Sequence, residues 1–352
     1  MGASWGKSTI FLTLMFWCAL WTAWNWLTTT GYPFEAYAQI LQILLSWSAL
    51  FLVGIFVDPS RRQVFQLCFI SIVAMLAVSL RYIDISTGMV DLRIIFGAGD
   101  IPSYRSFASA TMMTALLFLS GIQKLHWRLF WSVPCAALLF VEGARSEFVG
   151  FIAAVGVVDG TAMLKQPKAL LSIGIAAIPA FFIVNEKWAD IEQSRQFQLL
   201  DIGNASSWIA RQEFLQFALN QITAHPFAGV FAGHLEWEWP VSVGAYAHNV
   251  ISVWVSFGIV GFALYSILVA SSVKTSFTVL RQTKGSPVSR LSAYVNTLSL
   301  VLIIASMSVF WPIVALGWGL AINSAAKSKE TRHLTPRKGS KLQRAQPILV
   351  ET

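Results

Sequence analysis

Residues 37–57 read YAQILQILLSWSALFLVGIFV, 21 positions without one charged side chain. A helix needs about 20 apolar residues to cross the hydrocarbon core of a bilayer, so this stretch alone is long enough to span. It has company. Runs of the same character cover residues 9–27, 64–80, 107–122, 127–141, 148–164, 169–184 and 250–272, and a longer apolar block covers 291–322. The whole chain of 352 residues is 56% hydrophobic and 12% charged, with 15 Trp and 25 Phe. Soluble proteins are about a quarter charged, and a water-soluble globule of this size cannot hide so much apolar surface. Disorder, a collagen-like repeat and a disulfide-stapled secreted fold are excluded with it. The class is an all-α polytopic membrane protein.

The first run is too long for a signal-peptide core and lacks a small-x-small cleavage site, so it reads as a retained first span. Cys18, Cys68 and Cys135 each sit inside an apolar run, which excludes a disulfide framework or a zinc spacing. No internal repeat or low-complexity run occurs.

Lys and Arg set the orientation, because cytoplasmic loops accumulate them. With Lys7 inside, the inner loops hold Arg61, Arg62, Lys124, Arg128, Lys165, Lys168, Lys274, Arg281, Lys284 and Arg290. The tail adds Lys327, Lys329, Arg332, Arg337, Lys338, Lys341 and Arg344. The tail falls on the same side only for an even number of spans. The block 291–322 therefore reads as a hairpin turning near Trp311-Pro312, which gives about ten spans with both ends cytoplasmic. One long tilted helix, nine spans and an outer tail is the alternative. The net charge of +8 thus reports topology rather than a nucleic-acid partner.

The organisation that follows is spans one to seven over 1–184, an outer insert over 185–247, spans eight to ten over 248–322, and a basic, polar tail over 323–352. Such a tail reads as a disordered anchor at an anionic leaflet. The insert is too long to be a structureless connection, and long loops are often functional. Within it WIARQEFLQFALNQI, residues 208–222, reads as an interfacial helix with Trp208, Leu215, Leu219 and Ile222 on one stripe, and Ser206 and Ser207 offer a cap.

The outer face holds Arg81, Arg93, Arg105, Arg145, Lys187, Arg195 and Arg211, nearly all Arg. Arg presents a planar fork of donors that matches a diphosphate or carboxylate bidentately, which Lys does not. Arg145, within Glu142-Gly-Ala-Arg145-Ser-Glu147, stands where two spans meet, and ionisable groups at that depth are usually functional. Its bland role is neutralisation by Glu142 or Glu147. His248, in Ala247-His248-Asn249, opens the eighth span and can take a proton from a hydroxyl near neutral pH; its bland role is a headgroup-level hydrogen bond. His225 before Pro226 reads as a turn residue, and His234 lacks partners. Trp237, Trp239 and Tyr246 are suited to sugar stacking or to an aromatic belt. Glu236-Trp-Glu238 and Asp190-Ile-Glu192 are short carboxylate pairs without a third ligand, so no metal site is expected. P-loop, HExxH and GxSxG patterns are missing. Gly258 with Gly261, and Gly150 with Ala154, read as close-packing positions.

The stretch RQEFLQFALNQITAHPFAGVFAG followed by AYAHNVISVWVSFGIVGF resembles the C-terminal signature of the bacterial O-antigen ligase and O-antigen or exopolysaccharide polymerase superfamily, and EGARSEFVGF resembles its arginine motif at the end of an earlier span. The match covers about a third of the chain. The resemblance implies a membrane glycosyltransferase fold with a periplasmic lid, in a bacterial inner membrane. It implies a metal-independent reaction without cofactor, whose donor is a glycan on undecaprenyl diphosphate and whose acceptor is another glycan or lipid A–core. Arg145 and Arg211 would stabilise the leaving diphosphate and His248 would act on the acceptor. Asn249, Glu142, Glu147, Arg105, Trp237 and Tyr246 would complete the substrate site, and a chain-length regulator or flippase would be a partner. Polymerase and ligase both fit. A transporter or flippase of lipid-linked glycans is the rival class, which should show charges near mid-membrane; the spans as assigned hold none in mid-run. An acyltransferase would give the Arg set no purpose.

Overall fold

The computed structural model describes residues 2–28, 34–84, 89–90, 104–186, 206–233, 247–283 and 285–334. Eleven helices occur among them: α1 (Gly2–Thr28), α2 (Phe34–Phe56), α3 (Arg62–Arg81), α4 (Tyr104–Gly121), α5 (Leu125–Val141), α6 (Arg145–Met163), α7 (Pro167–Glu186), α8 (Ser206–Ala224), α9 (Ile251–Gln282), α10 (Pro287–Ala305) and α11 (Ile313–Leu334). The strand content of the described residues is one two-residue antiparallel bridge, β1 (Ile83–Asp84) with β2 (Met89–Val90), pairing Ile83 with Val90.

Five helical segments are long and apolar enough to cross a membrane: Gly6–Thr28, Ala36–Phe56, Arg62–Arg81, Ile251–Gln282 and Pro287–Ala305. Shorter apolar helices cover Ser106–Gly121, Leu125–Val141 and Pro167–Ile178. The surface is that of a lipid-facing bundle. Phe16, Leu27, Phe56, Leu67, Ile70 and Leu171 are exposed while Ser276, Ser292, Asn296 and Asn323 are buried. A soluble fold does the reverse. The molecule is a helical membrane protein.

Side-chain bonds fix how the helices run. The indoles of Trp17 and Trp21 donate to the carbonyls of Phe257 and Ser256, and Lys7 Nζ donates to Thr275 Oγ1 at 2.6 Å, so α1 is antiparallel to α9. Along α2 and α11, Trp47 meets Trp318, Asn323 Nδ2 donates to the carbonyls of Gly54 and Val57, and Lys327 pairs with Asp58 at 3.0 Å, so those two run parallel. Gly54 and Gly319 let them touch. A Cβ on Gly319 would lie 2.2 Å from the Phe51 carbonyl oxygen, and one on Gly54 would lie 2.5 Å from that of Leu316. Small residues at such a crossing let membrane helices gain dispersion contacts. Phe11, Phe51, Trp47, Tyr265 and Trp318 form the aromatic centre beside it.

The block 291–322 is two helices. Residues 306–312 turn between α10 and α11, with Pro312 ahead of the first turn of α11, and Asn296 Nδ2 reaches across to the Gly317 carbonyl at 2.8 Å. Ser286 caps α10 by accepting from Ser289 N, with Pro287 at the first helical position. The result gathers Lys7, Arg61, Lys124, Arg290 and Lys327 at one end of the bundle, hereafter the basic end.

Three charges depart from the sequence reading, which places Arg128 and Arg290 in loops and finds no charge inside a run. The structure buries both within helices, together with Asp159 of α6. Arg128 Nη2 donates to Asp159 Oδ1 at 2.7 Å and its Nε reaches both carboxylate oxygens, while the Tyr294 hydroxyl donates to Asp159 Oδ2. Arg128 Nη1 and Arg290 Nη1 both donate to the Ile122 carbonyl, at 2.8 and 3.0 Å. Arg128 and Asp159 neutralise each other across 31 residues, whereas Arg290 is satisfied by backbone carbonyls.

Candidate functional site

The end opposite the basic one carries Arg145, Arg211 and His248. The turn Glu142–Ala144 joins α5 to α6, with Gly143 at φ 78° making the reversal. It delivers Arg145 as the first residue of α6 and Glu147 into its first turn. Ser146 Oγ shares a 2.7 Å hydrogen bond with Ser306 Oγ at the end of α10. One turn back on α10, the Ile303 carbonyl accepts from Val250 N at 2.7 Å, just after His248 and Asn249. The segments bearing Arg145 and His248 are thus both fastened to the last turn of α10. The His248 ring lies 6.3 Å from that of Phe214, three residues beyond Arg211 on α8, and residues three apart share a helix face. Arg145, Arg211 and His248 are all half-buried.

Asn249 has a structural task. Its Oδ1 accepts from Ile251 N at 3.0 Å, and its carbonyl accepts from Ser252 Oγ. Glu147 Oε1 accepts from Ser109 Oγ at 3.1 Å, and Glu142 Oε1 accepts from Thr111 Oγ1 at 2.7 Å, which ties the turn to α4. Glu142 is 2% exposed and its Oε2 has no hydrogen-bond partner. Burial, with the neighbouring Glu147 charge adding to it, pushes its carboxyl up to about 8 against the pull of Thr111. Glu142 therefore carries a proton at neutral pH. Arg105 lies in the first turn of α4, its side chain outside the described set. Trp237 and Tyr246 lie outside the described residues, as do His234, Trp239, Asp190, Glu192, Glu236 and Glu238.

Helix α8 spans Ser206–Ala224 and buries Ala218 and Gln221, while Leu219 faces out at 40% exposure. Inward, Ala218 with Ile222 packs on Ala247, Ile251 and Val255. His225 N donates to the Gln221 carbonyl, and the chain turns at Pro226.

That turn docks on a break in α9. Gly258 has φ 67° and ψ −174°, a conformation open essentially to glycine alone. In an unbroken helix Ile259 N would donate to the Val255 carbonyl. Here Ile259 N donates to the Phe227 carbonyl at 3.1 Å, and the Val255 carbonyl accepts from Val230 N at 2.7 Å. Trp21 and Trp17 take the next two carbonyls, of Ser256 and Phe257, at 3.1 and 2.9 Å. The three carbonyls ahead of the break and the Ile259 amide are thereby paired, as irregular backbone at membrane depth requires. Gly229, at φ 69°, permits the approach, since a Cβ there would lie 2.3 Å from the Val255 carbonyl oxygen. The sequence reading treats Gly258 as a packing position; its role is to open the helix. Gly150 does pack, against Leu298 and Leu302 of α10. Serines 109, 146 and 306 and Thr111 went unmarked in the sequence, where lone hydroxyls in apolar runs carry no pattern.

No protein-family model matches the chain, and no curated protein matches it. Among solved structures, a chain from a peptidoglycan synthase complex that coordinates polymerization and crosslinking aligns with it at 16% sequence identity and a TM-score of 0.44, over 92% of this chain and 98% of that one.

Proposed function

We propose that the protein is a membrane glycosyltransferase of the polymerase or ligase type, acting at the end of the bundle opposite the basic one. The observation that carries this reading is the shared anchorage of the Arg145 and His248 segments on the last turn of α10, with Arg211 one helical turn from the Phe214 ring that faces His248. Two guanidinium groups and an imidazole at one rim suit the transfer of a glycan from a lipid diphosphate. An acceptor hydroxyl attacks the anomeric carbon, the bond to the diphosphate oxygen breaks, and the hydroxyl proton passes to His248. Arg145 and Arg211 stabilise the charge that accumulates on the departing diphosphate. The donor is an undecaprenyl-diphosphate-linked glycan, and the acceptor is a second glycan or lipid A–core. The basic end faces the cytosol by the charge bias of loops. In this reading α1 to α7 and α9 to α11 are ten crossings of a bacterial inner membrane, and the site faces the periplasm with α8 beside it.

The rival reading, transport of lipid-linked glycans, draws on the buried Arg128, Asp159 and Arg290. Their donors are spent on one another and on backbone carbonyls, which makes a brace rather than a carrier site. Reconstituted protein supplied with a synthetic undecaprenyl-diphosphate glycan decides the matter. Glycan-extended product read by mass spectrometry is the expected result, falling roughly a hundredfold or more in Arg145→Ala, Arg211→Ala and His248→Ala. Unchanged output from all three variants, or movement of the donor between leaflets without a new glycosidic bond, would overturn it.

A further inference from the structure

At the basic end, far from the site above, a cavity of about 430 Å³ opens between the α2–α3 and α4–α5 turns. Two cations line it, Arg62 at the start of α3 and Lys124 just ahead of α5. Both side chains are exposed, and neither has an ion-pair or hydrogen-bond partner among the described residues. The other walls are Phe65, Trp127 and Trp131, with Ser60 at the rim. Trp127 is 50% exposed, and the adjoining surfaces of α2 and α3 present Phe56 and Leu67 outward at 78% and 64%. The cavity thus has a cationic mouth at the end of the bundle and an aromatic flank continuous with the lipid-facing wall.

The site is held in shape from behind. Its floor, the segment Ser120–Lys124, offers carbonyls to the two buried guanidinium groups. Arg290 Nη1 takes those of Ser120 and Ile122, and Arg128 Nη1 takes that of Ile122. Arg128 is itself fixed by Asp159. Two buried charges are therefore spent on fixing a surface turn whose own cation is unpartnered. The first turns of α3 and α5 hold no acidic residue and receive no side-chain cap, so the positive ends of both helices add to the field in the cavity.

We infer that this cavity binds the headgroup of an anionic phospholipid, its phosphate between Arg62 and Lys124 and its acyl chains along Trp127 and α3. Cations beside indole rings at the headgroup level match the two halves of such a molecule, since the rings take the glycerol–acyl boundary and the cations take the phosphate. A soluble phosphate would find the cations but leave the aromatic flank unused.

Native mass spectrometry of the full chain, released from detergent and titrated with phosphatidylglycerol, tests this. Phosphatidylcholine of the same chains serves as the neutral lipid and inorganic phosphate as the headgroup without a tail. Bound phosphatidylglycerol should exceed phosphatidylcholine, millimolar phosphate should not displace it, and Arg62→Gln/Lys124→Gln should weaken it roughly thirtyfold, at about 1 kcal/mol per cation. Lys165→Gln/Lys168→Gln, which removes two exposed cations from the α6–α7 turn at the same end, should leave it within about twofold of the parent. Equal losses in the two double variants would mean diffuse surface charge and overturn the site. Displacement by phosphate, or equal binding of both lipids, would overturn the lipid assignment. All four substituted side chains are exposed, and a variant that elutes as misfolded is replaced by Arg62→Ala or Lys124→Ala alone.

Discussion

Gly258→Ala is the sharpest probe of how the His225–Gly233 turn is attached to the bundle. At φ 67° and ψ −174°, an alanine carries a backbone strain of about 1–3 kcal/mol. Its Cβ would also lie 2.4 Å from the Phe227 carbonyl oxygen and 2.8 Å from that of Ala228, both backbone atoms. The turn must therefore withdraw, and two hydrogen bonds go with it, Ile259 N to Phe227 and Val230 N to Val255. Each is worth about 0.5–1.5 kcal/mol net, so the local loss is about 2–6 kcal/mol in all. Hydrogen exchange resolved by peptide reads this directly. Protection at Val230 and Ile259 should fall by about thirtyfold or more, using about 1.4 kcal/mol per tenfold, while the α2–α11 contact should keep its protection. Gly156→Ala is the control, because nothing lies within 4 Å of a Cβ there and its effect should be neutral or slightly stabilising. Wild-type exchange at both amides in Gly258→Ala would refute the broken-helix geometry.

Three further outcomes follow from the same contacts. Arg128→Ala leaves Asp159 buried and unpaired, and should cost about 3–5 kcal/mol in detergent-resistance or thermal unfolding; Arg128→Met with Asp159→Leu should recover most of it. Glu142 holds its proton up to about 8 in the fold, against an ordinary carboxylate value of 4.5. The folded form binds the proton more tightly, so stability is fully present below pH 4.5 and is lost as pH rises through about 8; Glu142→Gln should flatten that slope in thermal melts taken between pH 5 and 9. Gly319→Val should push α11 off α2, because its Cβ would meet the Phe51 carbonyl oxygen at 2.2 Å, lowering stability by about 1–3 kcal/mol in the same melts.

Much of the fold was legible because a bilayer leaves few choices. Apolar length marked α1, α2, α3, α9 and α10, and Pro312 with the parity of the basic tail marked the turn after α10. The buried brace was not legible. Arg128 and Arg290 look like loop charges until α5, α6 and α10 come together, and only the tertiary contacts give Arg128 its Asp159 and Arg290 its carbonyls. The site was legible in part. Arg145 and His248 stood out by residue type, whereas Ser306, which fastens the Arg145 segment, is a serine like many others. Gly258 was visible but misjudged, since glycine serves close packing and a positive φ alike, and one chain without its partner turn does not separate the two uses.

The parallel seam between α2 and α11 has a consequence for biogenesis. The second helix to emerge must wait for the eleventh before Gly54 is covered and Asp58 meets Lys327. Until then Trp47 and the Gly54 face stand open to lipid or to a chaperone. The α2 side of that seam is thus the last surface of the bundle to be covered, and substitutions along it should act on surveillance and yield before they act on turnover.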